Sequence, residues 1–316
     1  MTGHLFEMLP SLQVEKPARK PRDRELEKSV LPASGIRVVR GRTLKLCRLL
    51  LDWHDQAKPP FEHLDIPEVI PPKGVGENSL ERALHIFFAV QYDGGRPSSV
   101  VYAGMRSLFQ EHTATDVFGK DKKAFWELLE TYMGREGIGR PIAMLWRNIE
   151  QLREVGDPRE LFTTTKPNEI IDVARGLDGY SWGKAALLVK NYVKLGWIDV
   201  DNPHALPIKV DRHATRIFHG YGAIVTEPPG VYRRENLEKV IRLEIQRVTA
   251  RHGLDPALLD DLLWVLGNQY CNENKIDFCN TQCSLDCSNR ADISGGAWYV
   301  TNADVRKPAT KLDLFD

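Results

Sequence analysis

No apolar run in this 316-residue chain approaches the ~18 residues that a membrane-spanning helix needs, and the N-terminus lacks the basic start and apolar block of a secretory signal. The expectation is therefore no membrane partner and an intracellular, cytoplasmic setting in which thiols stay reduced. An excess of charge of one sign is missing too, since 43 basic residues balance 43 acidic ones. That balance counts against a nucleic-acid partner, because affinity for phosphate backbones rests largely on Lys and Arg. Strict apolar–polar alternation is nearly absent, which removes the main signature of a half-buried strand, and no internal repeat is evident.

What is present is ordinary globular material, with 42% apolar and 27% charged residues, enough to bury one large core or two moderate ones. The charge is unevenly spread. From Glu15 to Arg48 there are eleven Lys/Arg and four Asp/Glu, so this window is +7 and the remainder −7. Residues 1–35 read as a flexible basic arm, either a polyanion contact or a solvated tail. A short helix is expected at Leu44–Trp53, followed by a stretch with Pro59, Pro60, Pro67, Pro71 and Pro72 that suits a segment wrapping over a surface.

From Asn78 the pattern becomes helical. Asn78 or Ser79 can cap a helix in which Leu80, Leu84, Phe87 and Phe88 recur at helical spacing. Further helices are predicted at Ser98–Gln110, Lys122–Tyr132, Pro141–Glu150, Lys166–Arg175, Lys184–Leu195, Arg212–Gly220, Arg234–His252 and Asp255–Gln269. The predicted class is all-α.

Four of the five cysteines, Cys271, Cys279, Cys283 and Cys287, fall in CNENKIDFCNTQCSLDC, a C-x7-C-x3-C-x3-C pattern. Thiols this close in a reducing compartment point to a metal, because a loop with few apolar residues needs a crosslink to keep its shape. Four thiolates suit tetrahedral zinc or a four-iron cluster, and spacing alone does not separate them. Two disulfides, or four unrelated thiols, are the remaining alternatives.

Arg175–Lys184 reads RGLDGYSWGK and runs into AALLVKNYV, a helix, a tight turn and a second helix. Gly179 permits positive φ and close backbone approach, and the second helix offers its N-terminal amides to an anion such as a phosphate. A plain glycine-capped turn reads the same way. Downstream, in KVDRHATRIF, Asp211 precedes a helix and is either its N-cap or a functional carboxylate, and His213 is either packed or a ligand contact.

The order of these pieces resembles the endonuclease III branch of the helix-hairpin-helix DNA glycosylase superfamily. The resemblance rests on Leu177-Asp178-Gly179-Tyr180-Ser181 with Ala185, on Val210-Asp211-Arg212-His213 with Arg216, and on Leu262–Cys287, and covers roughly Ser79–Cys287. It implies a two-lobed helix-hairpin-helix fold with a 4Fe-4S cluster loop. The implied layout is an arm at 1–35, a segment at 36–77 packing on the C-terminal lobe, a hairpin-bearing lobe at 78–205, a cluster lobe with the catalytic aspartate at 206–290, and a tail at 291–316. The implied partner is double-stranded DNA, bound by a nucleoid-associated monomer through Gly179, Ser181, Gly183, Lys184, Arg212 and His213. Gln91 would fill the space left by an extruded base, or else be a bland surface residue.

Two features depart from the family pattern. Its cysteines usually run C-x6-C-x2-C-x5-C, so the inner ligands Cys279 and Cys283 are displaced within the same total length. In bifunctional members a lysine follows the hairpin; aligned from Leu177 to Ala185, that position holds Gly183, and Lys184 comes one place later. Lys184 is then a lyase nucleophile only if the turn compensates, and otherwise a phosphate contact. Asn191–Ile208, with Trp197, Asp199, Asp201 and His204, is longer than the family's usual link and either shapes the base pocket or forms a surface loop. The implied activity is hydrolysis of an N-glycosidic bond by Asp211. The substrate is a damaged, mismatched or phage-type modified base, which leaves both repair and antiviral defence open. The rivals are a non-catalytic DNA-binding protein and a zinc-stabilised interaction module.

Overall fold

Helices dominate because apolar residues recur along one face of most segments. In α1 (Arg40–Asp55), Thr43, Leu46, Cys47, Leu50 and Trp53 are buried at the i, i+3, i+4, i+7 spacing of a helix stripe. Leu46 and Leu50 are fully buried, each contributing about 1.5–3 kcal/mol. Burial also pushes the Cys47 thiol up to about 12, which makes this fifth cysteine a packing residue.

The computed structural model describes residues 28–64, 66–92, 97–134, 139–271, 283, 285, 287, 290–294 and 297–302. Ten further helices follow α1 among them: α2 (Leu80–Tyr92), α3 (Ser98–Glu111), α4 (Ala114–Phe118), α5 (Lys122–Met133), α6 (Gly139–Val155), α7 (Pro167–Arg175), α8 (Trp182–Lys194), α9 (Arg212–Gly220), α10 (Arg234–His252) and α11 (Pro256–Val265). No described helix is long and apolar enough to cross a membrane.

Two hydrophobic cores form. The first runs from Leu84 to Leu206 and gathers α2 to α8, with α2 at its centre and buried without a break from Arg82 to Tyr92. The second joins α1 to α9, α10 and α11, and takes in Ile36, Phe61, Ile66 and Tyr299. Ile36–Val38 (β1) pairs antiparallel with Ile224–Thr226 (β2), Ile36 opposite Thr226, which ties the segment before α1 to the second core. Upstream, the Leu31 amide donates to the Val231 carbonyl at 2.7 Å, so residues 30 and 31 of the expected arm are docked; residues 1–27 lie outside the described residues.

The described residues are mostly helical, consistent with the predicted all-α class, with only short strands added. Val231–Arg233 (β3), Arg290–Ser294 (β4) and Trp298–Asn302 (β5) form an antiparallel sheet in the order β3-β5-β4. The stretch assigned to a tail from 291 therefore contributes two strands, and Trp298, Tyr299 and Val300 are buried. A buried aromatic pair beside a β-branched residue supplies the apolar area that holds such a short strand in place.

Candidate functional site

α7 and α8 meet at a turn whose shape depends on Gly179 at φ +79°, in the region that side chains with a Cβ avoid. The Tyr180 amide donates to the Leu177 carbonyl at 3.2 Å to close it. From beneath, the Gln91 and Asn148 amides donate to the Asp178 carbonyl at 2.8 and 2.9 Å, and the Asp178 amide donates back to Asn148 Oδ1 at 2.9 Å. Gln91 Oε1 in turn accepts from Asn148 at 2.9 Å. This corrects the expectation for Gln91. The side chain is fully buried under the hairpin with both ends of its amide occupied, so it braces the turn and does not stand at a surface where it would fill a gap in a base stack.

Ser181 is the N-cap of α8 and makes no side-chain cap bond, and Ser181, Trp182, Gly183 and Lys184 line a cleft of about 1380 Å³. Gly179 is set back from that cleft against Met144 and Gln91. The Lys184 ammonium donates to the Gln91 carbonyl, placing a cation at the C-terminal end of α2. Across the cleft stand Lys209, Val210, Asp211, Arg212 and His213, with Arg234, Glu238, Lys239 and Arg242 from α10. Both cores thus supply walls, and Arg242 stacks its guanidinium 3.6 Å above the Trp182 ring to join them.

Asp211 is the N-cap of α9. Both capping bonds, from the His213 amide at 2.8 Å and the Ala214 amide at 3.3 Å, go to Oδ1, which leaves Oδ2 outside the cap. The two roles weighed for this residue are compatible: one oxygen orders the helix start while the other is available for chemistry. His213 is 8% exposed, and burial pushes its imidazole down, toward the neutral form. Arg212 is exposed. Glu238, on α10, accepts from Arg234 at 2.6 Å and from the Tyr299 hydroxyl at 3.2 Å, and burial, with Asp211 nearby, raises its carboxyl.

The cleft carries seven basic side chains, Arg106, Lys184, Lys209, Arg212, Arg234, Lys239 and Arg242, against three acidic ones, Asp211, Glu235 and Glu238. A chain of zero net charge thereby presents one strongly cationic concavity, suited to a polyanion. None of Trp197, Asp199, Asp201 and His204 lines it. Trp197 donates to Asn78 Oδ1 at 2.9 Å and His204 Nδ1 lies 2.9 Å from the Leu254 carbonyl, so that link is a surface connection pinned at both ends.

Sequence reasoning missed a buried charge cluster behind Asp211. Lys190, on α8, meets Asp260 at 2.8 Å and Asp261 at 2.7 Å on α11, and Lys194 reaches Asp261 at 2.5 Å. Glu68, from a 3-10 turn at Pro67–Val69, lies beside them. Charges set inside apolar runs, in AALLVKNYV and PALLDDLLWV, were the available signal.

A π turn at Leu266–Tyr270 follows α11 and brings Gly267 against α9. A Cβ on Gly267 would fall 2.4 Å from His213 Cβ and 3.0 Å from its Cα. Helix propensity favours alanine there, but a contact this short with the α9 backbone outweighs it. Gly267→Ala is expected to lower unfolding free energy by about 1–3 kcal/mol in denaturant titrations, and an unchanged midpoint would contradict this packing.

Just beyond, Arg216 donates to the Cys271 carbonyl, linking α9 to the start of the cysteine segment. Cys271, Cys283 and Cys287 are half-buried against the second core and form no disulfide with one another among the described residues. Cys279 lies outside the described residues, and among those described no group of three or more His, Cys, Asp or Glu is placed to hold a metal ion. The three thiols thus border one core without forming a ligand set among the described residues. Compared with known proteins, the chain matches no family model and no curated protein.

Proposed function

We propose that the protein is a DNA N-glycosylase that draws a damaged, mismatched or modified base out of the duplex and hydrolyses its N-glycosidic bond. The observation that carries this reading is the Asp211 carboxylate, half committed to capping α9 and standing in the wall of a cationic cleft between two helical lobes. Flipping the nucleotide costs a few kcal/mol, less when the base is mispaired or damaged. The N-terminal end of α8 and the cations around it hold the flanking phosphates. As the bond to the base breaks, positive charge grows at the sugar, and the Asp211 carboxylate stabilises it while orienting the attacking water.

Lys184 is engaged with the Gln91 carbonyl, which supports a phosphate-side or structural role and hydrolysis without a lyase step. Cys271, Cys279, Cys283 and Cys287 would hold a four-iron cluster, with zinc the other metal four thiolates suit; either would fix the shape of the loop next to α9. Iron and acid-labile sulfide in the purified protein would support the cluster, whereas zinc without iron would reassign it.

The test is mass spectrometry of free bases after incubation with DNAs carrying oxidised, alkylated, mismatched and phage-type modified bases. Release of one class identifies the substrate. No release from any of them, together with measurable DNA binding, would overturn the enzyme reading in favour of a DNA-binding protein.

A further inference from the structure

The 3-10 turn at Pro67–Val69 is pinned by its carbonyls. Arg82, itself 2% exposed, donates to the Glu68 carbonyl and to the Ile70 carbonyl, both at 3.0 Å, and Arg106 donates to the Pro67 carbonyl at 3.3 Å. This grip sends the Glu68 side chain inward, where it is 6% exposed and its Oε2 has no partner. A buried carboxyl oxygen left without a partner is costly and therefore rare.

Glu68 lines a small cavity of about 20 Å³, together with Lys190, Lys209, Asp211, Asp260 and Asp261. A polar cavity needs roughly 10–15 Å³ to hold one water, so this one accommodates a single molecule. The partners for it are present. Lys190 gives two hydrogens to Asp260 and Asp261 and has a third to donate, and Glu68 Oε2 and Asp211 Oδ2 stand outside all the bonds described above. The same Asp211 also lines the large cleft, so its carboxylate borders both spaces.

We propose that this cavity is a built water site shared by Glu68, Lys190 and Asp211, and that Glu68 is a positioning residue which, through that water, steadies Asp211 in its ionised form. Burial raises the Glu68 carboxyl, Lys190 and Lys209 pull it down in part, and Asp261 raises it further. In its protonated form, which burial favours, Glu68 gives its hydrogen to the water, and the water gives one to Asp211. Asp211 is also faced by Lys209, Arg212 and His213 from its own segment, by Arg234 and Glu238 from α10, and by Tyr299 from β5. Across the small cavity it is faced by Lys190 from α8 and by Asp260 and Asp261 from α11, together with Glu68.

The role in catalysis rests on the glycosylase reading; the water site does not. Two measurements separate them. A high-resolution crystal structure of the DNA-free protein is expected to show an ordered water within ~3 Å of Glu68 Oε2 and Lys190 Nζ, the ordinary hydrogen-bond range. A cavity without that water overturns the proposal whatever the enzyme does. For the role, base release is followed across pH in Glu68→Ala and Glu68→Gln. The Ala variant, which loses the donor, is expected to move the acid limb of the profile upward by about one pH unit, while Gln, a neutral donor of the same length, keeps it near the native position. Ala and Gln profiles that coincide would overturn the role. Should Glu68→Ala fail to fold, a Gln profile displaced by a full unit would overturn it equally. Absence of base release by the native protein would sink the glycosylase reading and the role within it, leaving the water site to the crystallographic result.

Discussion

Asp211→Asn is expected to lower base release by roughly 10²–10⁴-fold, while DNA binding and unfolding free energy stay near native. The clean separation follows from the cap. Asparagine is as good an N-cap as aspartate, and its carbonyl oxygen can take over the bonds that Oδ1 receives from the His213 and Ala214 amides. What disappears is the negative charge, the part of the side chain that would stabilise a growing cation at the sugar in the proposed reaction. Asp211→Ala removes both functions and is expected to cost about 1 kcal/mol of stability in addition to the same loss of activity. Single-turnover assays, with gel-shift binding and denaturant unfolding alongside, read the three quantities separately. An Asn variant that releases base at the native rate would remove Asp211 from the chemistry and leave it a helix cap.

The helical class was legible because apolar residues recur at helical spacing in most described helices, and some of these helices carry start or stop signals as well. Arg212–Gly220 and Arg234–His252 have the bounds the pattern predicted, one opened by Asp211 and the other closed by Gly253 at φ +63°. Asp255–Gln269 was read as one helix, whereas α11 ends at Val265 and a π turn takes over, since the apolar pattern runs through Leu266 without a break that periodicity registers. The strands escaped notice for a simpler reason: β1, β2 and β3 are three residues each, too short to display a period of two.

Legibility of the site divides along a similar line. Asp211, Arg212 and His213 are consecutive and share a helix start, so a linear motif captures them. The cationic cleft is invisible in a net charge of zero, because its seven basic residues come from four separate stretches of the chain and converge only in three dimensions. Gln91 shows the converse. Its place in LHIFFAVQYD follows an apolar run, and a polar residue there reads as the exposed end of a helix, yet the hairpin turn folds over it and consumes both ends of its amide. A single sequence shows that a polar group needs partners but not how far away in the chain they lie, here the 87 positions between Gln91 and Asp178.

The cluster behind Asp211 carries the largest expected effect on stability. Lys190→Met is expected to cost about 3–5 kcal/mol, the usual consequence of breaking a buried ion pair from one side. Methionine approximates the lysine stem in volume, so the loss is electrostatic and not a cavity effect. Burial alone would push Lys190 down, but Asp260 and Asp261 together hold it above its ordinary value. Burial likewise opposes ionisation of Asp261, and the two lysines overcome it and keep that carboxyl below its ordinary value. In the native protein Asp261 therefore stabilises the fold above its unfolded pKa of about 4, and that contribution is lost as pH falls through the lower folded value. With Lys190 gone, Asp260 and Glu68, already raised by burial, lose their principal cation and rise further, so the variant loses stability as pH climbs through about 4. The deficit relative to native should be widest at neutral pH and should narrow toward acid. Adding Asp260→Asn to Lys190→Met removes one of the stranded charges and is expected to recover part of the loss. A Lys190→Met deficit below about 1 kcal/mol, or one that does not change with pH, would mean that α8 and α11 are held by apolar contact alone and that the charges behind Asp211 are incidental to the joint between the lobes.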